Sequence, residues 1–376
     1  MRVEPPVPAQ ALAAIRGALA TAGAAPVDAP ILQPLNLLLD LAGEAMRARL
    51  FVLQAEGGEE ACLRPDFTVA VARQHIESGA ASGRYAYEGP AFRSAPEGDG
   101  PEEFVQLGVE LFAPAQSATV EADAEIAGLA WRAAVAGGRK DLTLWLGDVG
   151  LFAAFIESLG LPDVLAARLN RIAGRPRLLN AELARAGEAA PAANGGGQLA
   201  AMLSGLAEPQ AAAMLEEVWA LAGIEPVGGR RPGEIAARLV RRAEAAQAPA
   251  LTQAQADAIR AFMAISQAPA AALEQVRTLT GKSKALDAAL SDWDLRLAKL
   301  AEIPSGAMRF TPALGHAFDY YDGLTFEVRS SALGPDRPVA SGGRYDGLLA
   351  RLGGAADARA VGCVVRPWRA FLGGER

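Results

Sequence analysis

Apolar and polar positions change their spacing several times along the chain, and each change marks a different element. From Ala9 to Thr21 apolar residues recur at helical spacing until Gly23 ends the run. An extended stretch, Ala29-Pro30-Ile31-Leu32, follows. Leu50 to Gln54 and Glu60 to Arg64 flank Gly57-Gly58, the signal of a hairpin. Asp66 then stands where an N-cap would, ahead of the helical run Val69-Ala70-Val71-Ala72-Arg73. Arg84 to Phe92 and Phe104 to Phe112 predict two strands joined by a loop rich in Pro and Gly. In the second strand Val105, Leu107, Val109 and Leu111 alternate with Gln106, Gly108 and Glu110, so Gln106 and Glu110 share a face opposite the apolar one.

After a further helix and a short strand at Leu142–Leu146, the pattern becomes helical for a long way. From about Asp163 to Leu300, Ala, Leu, Glu and Arg dominate, which predicts an inserted all-helical domain. Strand signals return at Met308–Pro312, Leu324–Ser330, Pro338–Ser341 and Ala360–Val365, with a helix near Asp346–Leu352. The expected class is α+β: an antiparallel sheet flanked by helices, in two halves over 1–162 and 304–376, with a helical insertion over 163–303.

Composition narrows this picture. Hydrophobic residues are 51% and charged residues 21% of 376, a globular profile long enough for two or three domains. There is no uncharged apolar run of about 20 residues, so no transmembrane helix is expected. The start, Met1-Arg2-Val3-Glu4-Pro5-Pro6, lacks the pattern of a secretory signal. Two cysteines, Cys62 and Cys363, cannot build a disulfide framework, which points to the cytoplasm. With two histidines, His75 and His316, and no Cys-x-x-Cys, neither a metal site nor a cofactor is expected. A net charge of −7 weighs against a nucleic-acid partner unless a local basic patch meets the phosphates.

Four segments carry candidate chemistry. In Leu63-Arg64-Pro65-Asp66-Phe67-Thr68 a carboxylate and a hydroxyl sit beside the free N–H groups of a helix start, where plain capping is the bland explanation. Arg93 is expected to face Gln106 and Glu110 across an antiparallel pair. One cation, one amide and one carboxylate on a sheet face can hold an amino acid, or can form a solvated ladder of charges. Tyr320 and Tyr321 precede a strand, a position where tyrosines often fill a core. Ser341-Gly342-Gly343-Arg344-Tyr345-Asp346-Gly347-Leu348 reads as a Gly-rich turn into a helix.

In order, these segments resemble the signature motifs of class II aminoacyl-tRNA synthetases, and specifically histidyl-tRNA synthetase. Ala29–Leu32 is similar to the proline-bearing, dimer-forming first motif, and Arg84 to Phe112 to the second. Asp319-Tyr320-Tyr321 and Gly342 to Gly347 resemble the two histidine-specific motifs, and Ala360 to Arg369 the third. The resemblance implies a histidine pocket built from Asp66, Thr68, Arg93, Gln106, Glu110, Tyr320, Tyr321 and Tyr345. It puts Gln106 and Glu110 around the ligand's α-amino group, and Asp66 where the family usually has Glu.

The catalytic equipment departs from the family. His316 takes the place of an arginine that steadies the α-phosphate, and the loop Ser94–Glu103 holds four acids and no base where the family is basic. Arg366 and Trp368 stand at positions usually glycine and glutamate, and only Ala370 to Arg376 follow the third motif, too few for an anticodon-binding domain. The implied picture is a pocket whose positive field has turned negative and whose nucleotide position Arg366 blocks. That picture resembles the regulatory subunits of short-form ATP phosphoribosyltransferase. Such a chain has no catalytic residues of its own, partners a short catalytic subunit, takes L-histidine as effector, and forms a homodimer within a hetero-oligomer without nucleic acid or membrane. Two alternatives remain open here. An active histidyl-tRNA synthetase would exchange pyrophosphate with ATP, and a synthetase-like tRNA-binding module would bind tRNA in a salt-dependent way.

Overall fold

The computed structural model describes residues 1–42, 44–54, 57–58, 60–95, 98, 100–187, 210, 213–214, 217, 250–281, 283–312, 314 and 320–373. His316 and Asp319, the loop residues Pro96, Glu97 and Asp99, and most of the helical stretch between 188 and 249 lie outside the described residues. The chain divides into two compact units, Met1–Ala154 with Phe262–Arg376, and Phe155–Ala261.

The first unit holds α1 (Ala9–Ala20), β1 (Ala25–Pro26), β2 (Leu32–Pro34), α2 (Leu35–Ala42), β3 (Val52–Gln54), β4 (Glu60–Leu63), α3 (Thr68–Ser78), β5 (Gly83–Phe92), β6 (Glu103–Ala113), α4 (Thr119–Ala136) and β7 (Leu142–Asp148). It continues with β8 (Met308–Phe310), β9 (Leu324–Ser330), β10 (Ala340–Arg344) and β11 (Arg359–Val365). Eight strands form one sheet in the order β1-β5-β6-β11-β10-β9-β7-β8, and β2-β4-β3 form a second. The six central strands of the large sheet pair antiparallel, and the short β1 and β8 add parallel edges. This is the sheet the alternating pattern predicts.

Helix α4 packs on β9, β10 and β11, together with α1. Its Ile126, Ala127, Ala130, Ala133 and Ala134 are fully buried, and small side chains let the helix lie close to the strands. An ionic cluster ties this layer together. Asp123 of α4 accepts from Arg296 (2.9 Å) and from Arg344 (2.8 Å), and Asp148 accepts from the Trp293 indole N–H (2.8 Å). Trp293 and Arg296 lie on the helix Lys284–Lys299, which the Ala-rich pattern had joined to the insertion and which packs in the first unit. Its pairing partners lie about 150 residues back in the chain, beyond the reach of helical periodicity. In the second unit, Asp163–Ile172 and Pro176–Ala184 bury Leu165, Leu169, Leu179 and Leu183.

Two further local readings are corrected. Helix α3 has Phe67 at its N-cap and no side-chain cap, so Asp66 is not the capping residue. Ala340–Arg344 is a central strand with Gly342 and Gly343 inside it, rather than a turn. Glycines here serve close approach: a Cβ on Gly342 would lie 2.2 Å from the Gly362 carbonyl.

Candidate functional site

Strands β5, β6, β10 and β11 carry the floor of a cavity of about 660 Å³, within the size range of small-molecule sites. Asp66, Thr68, Arg93, Tyr320 and Tyr321 line it, together with Tyr87, Phe104, Arg366 and Arg369.

The link between β4 and α3 supplies Asp66, and the first residue of α3 is Thr68. Arg64 anchors this link by donating to the carbonyls of Ala29 and Pro90 (2.8 Å to the latter), with its guanidinium 3.9 Å from the Phe67 ring centroid. Phe67 in turn stacks on Tyr87, with ring centroids 4.4 Å apart. On this link Asp66 is 7% exposed, and neither oxygen of its carboxylate has a hydrogen-bond partner. Burial pushes its pKa up; Arg93 and the positive amides of Thr68 and Val69 oppose that shift, although those amides are not in hydrogen-bonding geometry with it. A buried carboxylate without a donor is costly, which is why its protonated form is favoured here.

Glu110 stands one layer below. Its carboxylate accepts from Thr68 (2.7 Å), Tyr345 and, weakly, Tyr87 (3.4 Å), and lies over Gly362, where a Cβ would come within 1.6 Å of it. Burial pushes its pKa up to about 7, even though the hydroxyls of Tyr345 and Thr68 favour the charged form. Gln106 is also buried and its Oε1 has no partner. Neither Glu110, Gln106 nor Tyr345 is on the cavity wall. Gln106 and Glu110 are therefore buried beside the cavity rather than on its wall, although Phe104 on the same strand face lines it.

Tyr320, Tyr321 and Tyr345 form a ring cluster, with centroids 4.9 to 6.3 Å apart. The turn that carries the first two is fastened by Asp322, whose carboxylate accepts from the backbone N–H groups of Asp346 (3.1 Å) and Gly347 (2.6 Å).

Arg93 does not face Gln106 and Glu110. Strand register sets Gly89 opposite Gln106 and Tyr85 opposite Glu110, while the Arg93 backbone N–H bonds the Glu102 carbonyl (2.8 Å). Arg93 directly follows the end of β5, where Phe92 pairs with Glu103, so it stands at the loop end of the hairpin. There its Nε donates to the Pro65 carbonyl (2.9 Å), and its guanidinium shares the Phe104 ring with Arg366, at 5.5 and 3.5 Å from the centroid. Arg49, Arg329 and Arg369 also line the cavity, giving five arginines against Asp66, Glu327 and Asp336. Among the described residues the wall thus carries more guanidiniums than carboxylates, while Glu97 and Asp99 of the acidic loop, on which the expected reversal of the field rests, lie outside them. The four acids of the loop were read from sequence alone; Glu102 faces Arg2 instead (3.4 Å).

Sequence reasoning missed Tyr87 and Phe104, and gave Arg366 only as a block to nucleotide, without its place on the Phe104 ring. Tyr87 lies on the same strand face as Tyr85, and that alternation could have found it; its hydroxyl fits only because position 108 is glycine, where a Cβ would lie 2.2 Å away. One buried carboxylate awaiting a donor, an aromatic wall, and several guanidiniums suit a ligand with both an ammonium and a carboxylate. Among the described residues no cluster of His, Cys, Asp or Glu could hold a metal, and no helix is long and apolar enough to cross a membrane.

The sequence profile of the histidyl-tRNA synthetase domain matches residues 8–224 and 232–367. A relative from Mesorhizobium japonicum, an ATP phosphoribosyltransferase regulatory subunit, is 37% identical over 348 residues, covering 89% of this chain and 90% of that one. One of the same name from Chelativorans is 35% identical over 345 residues, covering 89% of both. Among solved structures, an ATP phosphoribosyltransferase regulatory subunit/histidyl-tRNA synthetase from Bacillus halodurans superposes with a TM-score of 0.64 at 22% identity, covering 96% of this chain and 77% of that one. A histidyl-tRNA synthetase from Nostoc superposes with a TM-score of 0.59 at 17% identity, covering 96% and 69%.

Proposed function

The chain belongs to the ATP phosphoribosyltransferase regulatory subunits, which share the histidyl-tRNA synthetase fold, and from that premise we propose that it senses L-histidine in the cavity described above. It is the non-catalytic subunit of an enzyme complex. It acts with a short ATP phosphoribosyltransferase catalytic subunit in the first step of histidine biosynthesis, and makes that step answer to its end product. We further place it in the cytoplasm, as a homodimer within a hetero-oligomer, with the helical stretch as an insertion in the synthetase-like core.

One observation supports the ligand reading above the others: both oxygens of the buried Asp66 lack a donor, and Asp66 is among the residues that line a cavity ringed by arginines and tyrosines. An ammonium would satisfy those oxygens, and Arg93 lines the same cavity and can meet a carboxylate on the same small molecule. The sequence assigned the ammonium to Glu110; its place beneath Thr68 favours Asp66 as the contact and Glu110 as the residue that positions Thr68 and Tyr87. An effector regulates only through different affinities for two states of the complex, so histidine must favour the less active one.

The test is calorimetric titration of L-histidine into the native protein and Asp66→Asn. We expect native binding and a loss of at least tenfold, about 1.4 kcal/mol, in the variant, with a melting temperature no lower than native because an unsatisfied buried charge has been removed. Equal affinities would move the effector site elsewhere. A synthetase reading has no observation here that favours it.

A further inference from the structure

Arg366 on the cavity wall is held by both a ring contact and an ion pair. Its guanidinium lies 3.5 Å from the Phe104 centroid and donates to Glu4 Oε1 at 2.8 Å. Arg366 is 7% exposed and Glu4 9%, so the pair is withdrawn from water. Both partners are fixed by backbone bonds. The Glu4 N–H donates to the Glu103 carbonyl (2.8 Å), and the Arg2 carbonyl accepts from Glu102 and Glu103, which lays the segment beside β6. The Arg366 N–H donates to the Val339 carbonyl (2.8 Å) at the end of β11.

A cluster of arginines in a partly enclosed cavity attracts polyphosphates strongly, because screening by water and salt is weak there. Glu4 opposes that attraction from behind the wall. We propose that the Glu4–Arg366 pair determines the specificity of this cavity: Glu4 neutralises the arginine and holds it flat across Phe104, so that a single carboxylate is accepted and a polyphosphate is excluded. The proposal rests on the amino-acid reading of the cavity and adds what the cavity refuses. Burial is the main reason the Arg366 pKa falls to about 9; Arg369 pushes in the same direction and Glu4 in the other, as expected of a counter-ion placed for this residue.

The experiment is calorimetric titration of inorganic pyrophosphate, and separately of L-histidine, into three proteins. These are the native chain, Glu4→Gln, and Glu4→Gln/Arg366→Gly. The first variant releases the arginine, and the second removes the whole obstruction without leaving a buried unpaired charge, so it decides the matter if the first does not fold. Native protein should show no pyrophosphate binding below about 1 mM, and each folded variant should bind at least about tenfold more tightly. Native binding as tight as that of the double variant would overturn the proposal. Failure of the native protein to bind histidine, with the pyrophosphate gain intact, would sink the amino-acid reading and leave the exclusion standing.

Discussion

Two buried acids close to one another do different work because their surroundings differ. Asp66 is on the cavity lining with no donor to its carboxylate, whereas Glu110 accepts from Thr68 and Tyr345. With its pKa raised from 4.5 to about 7, Glu110 is protonated more readily in the folded chain than in the unfolded one. Its contribution to stability is therefore fully present below about pH 4.5 and is lost as pH rises through about 7, a change of about 3 kcal/mol for a shift of this size. Glu110→Gln lacks that titration. Denaturant unfolding of both proteins between pH 4.5 and 8 should show native stability falling relative to the variant by about that amount. A constant difference across the range would mean that Glu110 does not titrate there.

At the scale of elements, the cavity depends on where strands and helices are pinned rather than on any one side chain. Asp123, fully buried on α4, holds Arg296 of the helix Lys284–Lys299 and Arg344 at the end of β10, next to Tyr345. Asp123→Ala leaves two guanidiniums buried without that partner and should cost about 3–5 kcal/mol in denaturant unfolding. A loss below about 1 kcal/mol would show that the cluster relaxes without it. The alternation of β6, the Gly57-Gly58 hairpin and the strand signals around Leu324 and Ala360 made most of these elements legible in the sequence. What it hid were distances across the chain. Nothing near Trp293 or Arg296 announces Asp148 or Asp123, so a helix of the first unit read as part of the insertion. Nothing near Arg93 announces the register that carries it away from Gln106.

For the molecule as a whole, family and fold were legible because the landmarks between Ala29 and Arg369 follow one another in a fixed order. The charge of the site was not, because it depends on which side chains meet in space. The acids of the loop after Arg93 are counted easily in the sequence, yet five arginines from distant segments line the cavity, and Glu4 reaches Arg366 across 362 positions. Regulation then requires that occupancy of this cavity alter a partner. The most direct measurement is the turnover of a short ATP phosphoribosyltransferase catalytic subunit, alone and with this chain, titrated with L-histidine. The account predicts that adding the chain raises turnover, that histidine lowers it again, and that Asp66→Asn keeps the rise while losing the inhibition. Turnover unchanged by the native chain, or inhibition that survives Asp66→Asn undiminished, would contradict it.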